Sequence, residues 1–195
     1  MENNVYKTIV FSLMGIGVVM SVGLVVGDDD SDSDTDQQRL THEWREARLD
    51  VAPVDNPLYM DECGACHFAY QPGLLPARSW EHIMRSLDDH FGDNAELSPD
   101  VAKGISDYLV NNAADRSRDK RSRSITRSLS EAQTPSRITE MAYFLRKHDE
   151  IPVRLVTGNP EVGSFANCQA CHAAADTGSY DDDEIRIAGY GKWDD

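Results

Sequence analysis

The chain has 195 residues, of which 34 are Asp or Glu and 19 are Lys or Arg, so its formal net charge is −15 at pH 7. A surface of this charge repels phosphate backbones and argues against non-specific nucleic-acid binding. The four cysteines are too few for a small disulfide-rich domain, and the length fits one compact domain or two small lobes.

An uncharged apolar run of 18 residues, 9–26, lies near the start of the chain, with Lys7 before it and three aspartates after it. A basic residue before such a run and acids after it orient the N-terminus towards the cytoplasm and export the rest of the chain. The run is just long enough to span a bilayer and is long for the core of a signal peptide. We therefore interpret residues 1–27 as a transmembrane anchor or a signal peptide, and both interpretations place the later residues outside the cytoplasm.

The next segment, residues 28–40, is rich in aspartate. It has too little apolar surface to fold, and we predict an acidic disordered tether. The remaining residues, 41–195, contain all four cysteines and are predicted to form the working domain. Its predicted parts are a first lobe at about 41–114, a basic linker at about 115–128 and a second lobe at about 129–195.

The four cysteines lie in two copies of the pattern C-x-x-C-H. The first copy contains Cys63, Cys66 and His67, and the second contains Cys168, Cys171 and His172. This is the attachment motif of c-type haem, because two thiols at this spacing bond to the two vinyl groups of one porphyrin and the adjacent imidazole becomes the proximal iron ligand. A zinc site or a redox dithiol could use the cysteine pairs, but neither explains a histidine directly after both. We therefore predict two covalently bound haem c groups, with His67 and His172 as proximal ligands.

Two haems also bear on the fold, since the hydrophobic fraction of the chain is only 40%. Two large apolar macrocycles supply core that side chains need not provide, so folding should be coupled to cofactor attachment. The predicted fold is mainly α, a small cytochrome-c-like helical domain in two lobes around two covalent haems, with little or no β structure.

The first predicted helix covers residues 79–91, with Ser79 as its N-cap and Gly92 as its stop. Its apolar face consists of Trp80, Met84, Leu87 and Phe91. His90 lies at the edge of that face, whereas His82 lies almost opposite and should be a solvated surface residue.

The second predicted helix covers residues 98–113, with Ser98 as its N-cap and Pro99 at its first position. Its buried stripe consists of Val101, Ile105, Tyr108 and Leu109. The one basic stretch of the chain, residues 116–127, comes next and is interpreted as a solvated linker. Two functional alternatives remain open for it, a docking patch for an acidic redox partner and an arginine anchor for haem propionates.

The third predicted helix covers residues 136–148, and its apolar stripe consists of Ile138, Met141, Ala142 and Leu145. His148 lies at the edge of this stripe. Two helices thus end with an imidazole on the core side in a chain with two irons to complete, and we assign His90 and His148 as the distal ligands. Met84 and Met141 are rival ligands, although methionine on an apolar stripe is usually packing, and His42 is a weaker candidate.

Sequence proximity pairs His90 with the haem of Cys63 and Cys66, and His148 with that of Cys168 and Cys171, although a crossed pairing stays open. Ligation by two histidines lacks the methionine that raises the potential of ordinary cytochromes c. We therefore predict low potentials and an electron carrier without its own substrate. The alternative is a small dihaem redox enzyme of the peroxidase or reductase type, which requires one open iron position.

The residues around these motifs resemble the bacterial dihaem cytochrome c family. The resemblance covers about residues 50–187 and rests on the run DECGACH (61–67), the run LLPARSW (74–80), HFG (90–92), HDEI (148–151) and ANCQACH (166–172). It implies a small, mostly helical periplasmic protein with two low-spin haems and bis-histidine ligation at His67, His90, His148 and His172. It also implies electron transfer between a membrane b-type cytochrome, of the b561 type, and another c-type haem protein, a high-spin oxygen-binding cytochrome.

Overall fold

The computed structural model describes residues 50–193, whose regular structure consists mainly of short helices. The α-helices of this range are α1 (Pro57–Cys63), α2 (Ala77–Met84), α3 (Pro99–Asn111), α4 (Lys120–Arg127) and α5 (Ala142–His148). Its 3₁₀ turns are Pro72–Leu74, Leu87–Asp89, Ile138–Glu140, Val153–Leu155, Cys168–Ala170, Ala175–Thr177 and Asp182–Glu184. Its two strands, β1 (Arg186–Ile187) and β2 (Gly191–Lys192), pair antiparallel, with Arg186 opposite Lys192. The predicted mainly helical fold with little β structure is confirmed.

The predicted leader, residues 1–27, and the predicted tether, residues 28–40, lie outside the described residues. Within residues 50–193, no helix is long and apolar enough to cross a membrane. The interpretations of the leader and the tether therefore stay predictions.

Local sequence explains where the first and third helices begin. Asn56 caps α1, because its side-chain oxygen accepts a 3.0 Å hydrogen bond from the backbone N–H of Tyr59. Helix α3 begins at Pro99 after Ser98, as predicted. Proline suits this position because it has no N–H to leave unpaired and its φ is already helical.

The main hydrophobic core lies where α2 packs against α3. Trp80 is 5% exposed, and its indole N–H donates a 2.8 Å hydrogen bond to the Pro72 carbonyl. From α3, Ile105 and Leu109 are fully buried, which confirms the centre of the predicted stripe. The cluster also includes Ile125 and Met141, so residues of both predicted lobes and of the predicted linker share one core. The division into two lobes stays a prediction.

A smaller apolar cluster lies near the C-terminal strands. Its buried members are Val156, Val162, Ile185 and Ile187. Cys171 packs against this cluster from its edge. The backbone N–H of Arg186 donates a 3.1 Å hydrogen bond to the Cys171 carbonyl, so the hairpin braces the second C-x-x-C-H motif.

The predicted helix over 79–91 is wrong at both ends. Helix α2 begins at Ala77 and ends at Met84, and Ser79 lies inside it, fully buried, rather than capping it. The hydroxyl of Ser86 bonds to the carbonyls of the preceding turn, at 3.1 Å and 3.3 Å. Such bonds compete with the helical ladder and end the helix. Phe91 has φ +61° and is 47% exposed, so it does not continue the apolar face of α2.

The predicted helix over 136–148 is also divided. A 3₁₀ turn at Ile138–Glu140 comes first, and Met141 is then extended (φ −71°, ψ 140°) before α5 begins. Met141 is 2% exposed and belongs to the main core. The extended conformation breaks the helix and leaves α5 as two turns ending at His148.

The basic stretch is not a solvated linker throughout. Residues 120–127 form α4, in which Ser122 and Ile125 are buried. Gly73 allows the close approach of α4 to the Pro72–Leu74 turn, because a Cβ there would lie 2.6 Å from the Ser122 hydroxyl oxygen. The sequence interpretation is wrong for this helix because one buried isoleucine among basic residues gives a weak apolar signal.

Gly178 connects the C-terminal part of the described chain to its first residues. Its carbonyl accepts hydrogen bonds of 3.0 Å from the N–H of Asp50 and 3.2 Å from that of Val51. Its φ is +83°, and a Cβ on it would lie 2.1 Å from the Val51 carbonyl oxygen. Both the conformation and the close approach require glycine.

We expect Gly178→Ala to destabilise the haem-loaded protein more than Gly163→Ala. Gly163 also has a positive φ, +76°, but a Cβ there would meet nothing within 4 Å. Gly163→Ala should therefore lose about 1–2 kcal/mol of unfolding free energy from the left-handed backbone alone. Gly178→Ala should lose about a further 1–3 kcal/mol from overpacking. Chemical denaturation measures both, and equal losses would contradict the close approach to Val51.

Candidate functional site

The first C-x-x-C-H motif begins on the last residue of α1. Cys63 ends the helix and is half-buried, whereas Cys66 and His67 are exposed in the turn after it. Gly64 makes that turn possible, since its N–H donates a 3.0 Å hydrogen bond to the Met60 carbonyl and a Cβ would lie 2.3 Å from the same oxygen.

His90 lies beside His67, with ring centroids 6.2 Å apart and ring planes 16° from parallel. A tight turn holds His90, whose N–H donates a 2.7 Å hydrogen bond to the Asp93 carbonyl and whose carbonyl accepts one of 3.3 Å from the Asp93 N–H. The Nδ1 of His67 lies 2.8 Å from the Phe68 carbonyl. Because a carbonyl only accepts, Nδ1 carries the proton and Nε2 is left as a metal ligand. We call Cys63, Cys66, His67 and His90 the first site.

The second motif begins on the 3₁₀ turn Cys168–Ala170, and His172 comes next with its N–H donating a 2.8 Å hydrogen bond to the Cys168 carbonyl. His148 lies opposite, with ring centroids again 6.2 Å apart but ring planes at 76°. We call Cys168, Cys171, His172 and His148 the second site.

Phe144 holds the ring of His148. The two rings stack with centroids 3.8 Å apart and planes 12° from parallel. The Nδ1–H of His148 donates a 2.9 Å hydrogen bond to the Phe144 carbonyl, so Nε2 is again the free nitrogen. The contact therefore determines both the ring plane and the tautomer of His148.

The same separation in both sites fits one iron between each pair of imidazoles. A metal–nitrogen bond to imidazole measures about 2 Å, and two such bonds with the radii of two five-membered rings span about 6 Å. Neutral imidazoles are needed for ligation. Burial lowers the pKa of His90 and of His148, and burial followed by the charges of His148 and Arg121 lowers the pKa of His172 to about 4. These shifts favour the neutral, ligating form of all three imidazoles.

The second site opens into a largely apolar cavity. Its lining includes all four residues of the site and the apolar side chains Leu74, Ile125, Ile138, Met141, Phe144, Val156, Val162, Phe165 and Ile185. An apolar macrocycle fits such a lining. Beside His90 of the first site lies a more polar cleft that also borders His82, Phe91 and Arg137. His82 itself is exposed, as predicted.

The alternative interpretations of the cysteine pairs fit less well. Within residues 50–193, no three His, Cys, Asp or Glu side chains are grouped so that they could hold a metal ion, whereas zinc needs three or four. All four thiols are free rather than disulfide-bonded. Burial raises the pKa of Cys63 and of Cys168 to about 11, which keeps both thiols protonated at neutral pH and disfavours a reactive dithiol.

Tyr70 links the two sites, although the sequence pattern did not identify it. Its ring lies 5.2 Å from that of His67. Its hydroxyl donates a 2.8 Å hydrogen bond to the Ala166 carbonyl, two residues before Cys168. In the sequence, Tyr70 is marked only by its place in the short apolar run that follows the first motif. Arg121 of α4, which also borders the second-site cavity, was likewise not singled out.

A mainly helical fold with two C-x-x-C-H motifs, each facing a second histidine, defines the class of dihaem c-type cytochromes. The sequence profile of the dihaem cytochrome c family matches residues 59–180, more than half of the chain. The chain belongs to this family and carries two covalently bound c-type haems with a role in haem-based redox chemistry.

Solved structures agree with this assignment. The chain is 45% identical to a diheme cytochrome type c from Shewanella baltica OS155, with a TM-score of 0.60 over 72% of this chain and 99% of that one. It is 43% identical to the diheme cytochrome c from Rhodobacter sphaeroides, with a TM-score of 0.60 over 67% of this chain and 100% of that one. A search among curated proteins finds no match.

We expect Tyr70→Phe to lower the unfolding free energy of the haem-loaded protein by about 1 kcal/mol, since it removes one hydrogen bond and keeps the ring against His67. Both haems should remain attached and low-spin. Chemical denaturation gives the free energy, and the absorption spectrum gives the spin state. Tyr190→Phe, at a residue that is 56% exposed, is the control and should cost nothing measurable. Equal effects of the two substitutions would contradict the linking role of Tyr70.

Proposed function

We propose that this protein is an electron carrier whose two haem irons are both six-coordinate. The observation that carries the proposal is the 6.2 Å separation of the two imidazole rings in each site, a spacing that would let both imidazoles bind one iron and leave it no open position. Bound haem supplies one-electron chemistry, and the chain's own residues hold it, orient its ligands and exclude water.

The proposed ligands of the first haem are His67 and His90, and those of the second are His172 and His148. The near-parallel rings of the first pair and the Phe144-braced ring of the second support this uncrossed pairing. The rival methionines are used in packing, since Met141 is 2% exposed in the main core and Met84 packs against it.

Both haems are proposed to have low potentials. Histidine in place of methionine at the distal position stabilises the oxidised iron. The chain's net charge of −15 acts in the same direction, because the oxidised centre carries the additional positive charge.

We propose a periplasmic location and exchange of electrons with a membrane b-type cytochrome and another c-type haem protein. Exposure of Cys66 and His67 supports approach of a partner to the first site. The excess of acidic residues supports partners with a basic docking surface.

Substitution of the distal ligands tests the proposal. His90→Ala and His148→Ala should each convert one of the two haems to a high-spin form, visible in the ferric absorption spectrum. His82→Ala is the matched control from the same part of the chain and should leave both haems low-spin. A high-spin haem in the unaltered protein would favour a dihaem redox enzyme instead, and an effect of His82→Ala alone would overturn the ligand assignment.

The two ring angles predict two different electron paramagnetic resonance signals from the ferric protein. Two imidazole rings only 16° from parallel would donate π electrons into the same iron d orbital. This would separate that orbital in energy from the other d orbital of π symmetry and give a rhombic low-spin signal. Two rings at 76° would donate into the two different d orbitals of π symmetry and leave these orbitals close in energy. The resulting signal should have a much larger maximum g value than the signal of the first site.

Phe144→Ala should change only the large-g signal, because it removes the ring that holds His148 and leaves the first site intact. Leu145→Ala, at the neighbouring residue that is 55% exposed, is the control. Two identical signals in the unaltered protein would contradict the assigned ring planes.

A further inference from the structure

Arg121 extends from α4 to the wall of the second-site cavity. One terminal nitrogen, Nη2, donates hydrogen bonds of 2.8 Å to the Asp50 carboxylate and 2.9 Å to the Tyr180 carbonyl. The other, Nη1, donates one of 3.1 Å to the Tyr143 hydroxyl. These contacts hold the guanidinium group in one orientation.

The remaining nitrogen of this group, Nε, is buried and has no hydrogen-bond partner. Buried N–H groups are nearly always paired, and an orphaned one on a charged group indicates a partner that the protein chain does not supply. The other orphaned buried atoms within residues 50–193 are the hydroxyls of Ser79 and Ser122, which are neutral and lie in the protein core.

A haem attached at Cys168 and Cys171, which line the cavity beside Arg121, would bring two propionate carboxylates to it. Its lining is apolar apart from a few groups, among which Lys147 is already paired with Asp182 at 2.9 Å. A haem propionate that entered this cavity unpaired would be a buried charge, which is strongly unfavourable. Arginine suits such a carboxylate better than lysine, because its donors are planar and rigidly placed.

We propose that Nε of Arg121 donates a charge-assisted hydrogen bond to a propionate of the haem attached at Cys168 and Cys171. This inference rests on the proposed ligation of that haem by His172 and His148. The basic stretch thereby acquires a cofactor-binding residue, and Arg121 connects the second haem to Asp50 at the start of the described chain and to Tyr180 near its end.

The contact has a consequence for the redox behaviour of the second haem. Arg121 lines the same cavity as His148 and His172, so its positive charge lies beside the second site. The field of this charge disfavours the additional positive charge of the oxidised iron. Arg121 therefore raises the potential of the second haem relative to a site without it.

The test uses the haem-loaded protein and the variants Arg121→Gln, Arg121→Lys and Arg123→Gln. Arg123 is exposed on the same helix and is the control for loss of one positive charge. Two quantities are measured, the potential of each haem by spectroelectrochemistry and the propionate bending bands of the resonance Raman spectrum.

Arg121→Gln should lower the potential of one haem only and shift the propionate band of one haem. Arg121→Lys should shift the same band with a smaller change in potential. This variant tests the proposal even if Arg121→Gln does not fold. Arg123→Gln should leave both quantities unchanged. Asp50→Asn removes the ion pair but not Nε, so it should raise the potential and leave the propionate band in place.

An unchanged propionate band in both Arg121 variants would overturn the proposal, and so would equal shifts in the potentials of both haems. Failure of the proposed function has a different signature, since the unaltered protein would then contain a high-spin haem.

Discussion

Each of two imidazole pairs in this protein is held at a ring separation of 6.2 Å, and each pair joins residues distant in sequence. In the first site, His67 comes shortly after α1 and His90 is held by its two hydrogen bonds to Asp93. In the second, His148 is the last residue of α5 and His172 lies just after a 3₁₀ turn. The surrounding helices are short, with α1 and α5 of 7 residues, and helices of this length depend on tertiary packing for stability. The tertiary packing that stabilises these short helices therefore also sets the spacing of the imidazole pairs.

The two sites differ in surroundings although they share this spacing. The first lies at the surface, with Cys66 and His67 exposed, whereas the second borders an apolar cavity with Arg121 at its wall. A surface haem exchanges electrons readily with a partner, and a buried one is better isolated from water and more sensitive to nearby charge. Tyr70 lies between them, with its ring against His67 and its hydroxyl bonded near Cys168. Under the proposed function, the first site would be the one that a partner approaches.

The haem motifs and the fold class could be predicted because covalent attachment requires a fixed local pattern and because helical periodicity is local too. The helix over 98–113 could be predicted from Ser98, Pro99 and its apolar stripe. The helix over 79–91 was wrong, since the bonding of Ser86 to the preceding carbonyls breaks it before His90 and no periodicity shows this. His90 nonetheless lies beside His67, through a turn rather than a helical face. The sequence left open an arginine anchor for haem propionates within residues 116–127 but could not single out Arg121, because its position depends on contacts with Asp50 and Tyr180, 71 and 59 residues away.

Carbon monoxide binding to the fully reduced protein tests the central claim most directly. Carbon monoxide binds ferrous haem only at an open or readily vacated position, so two irons held between paired histidines should give no adduct at neutral pH. An unchanged ferrous spectrum under carbon monoxide is the predicted result. Stoichiometric formation of an adduct by one haem would contradict the claim and would identify a site where a ligand is exchanged during function.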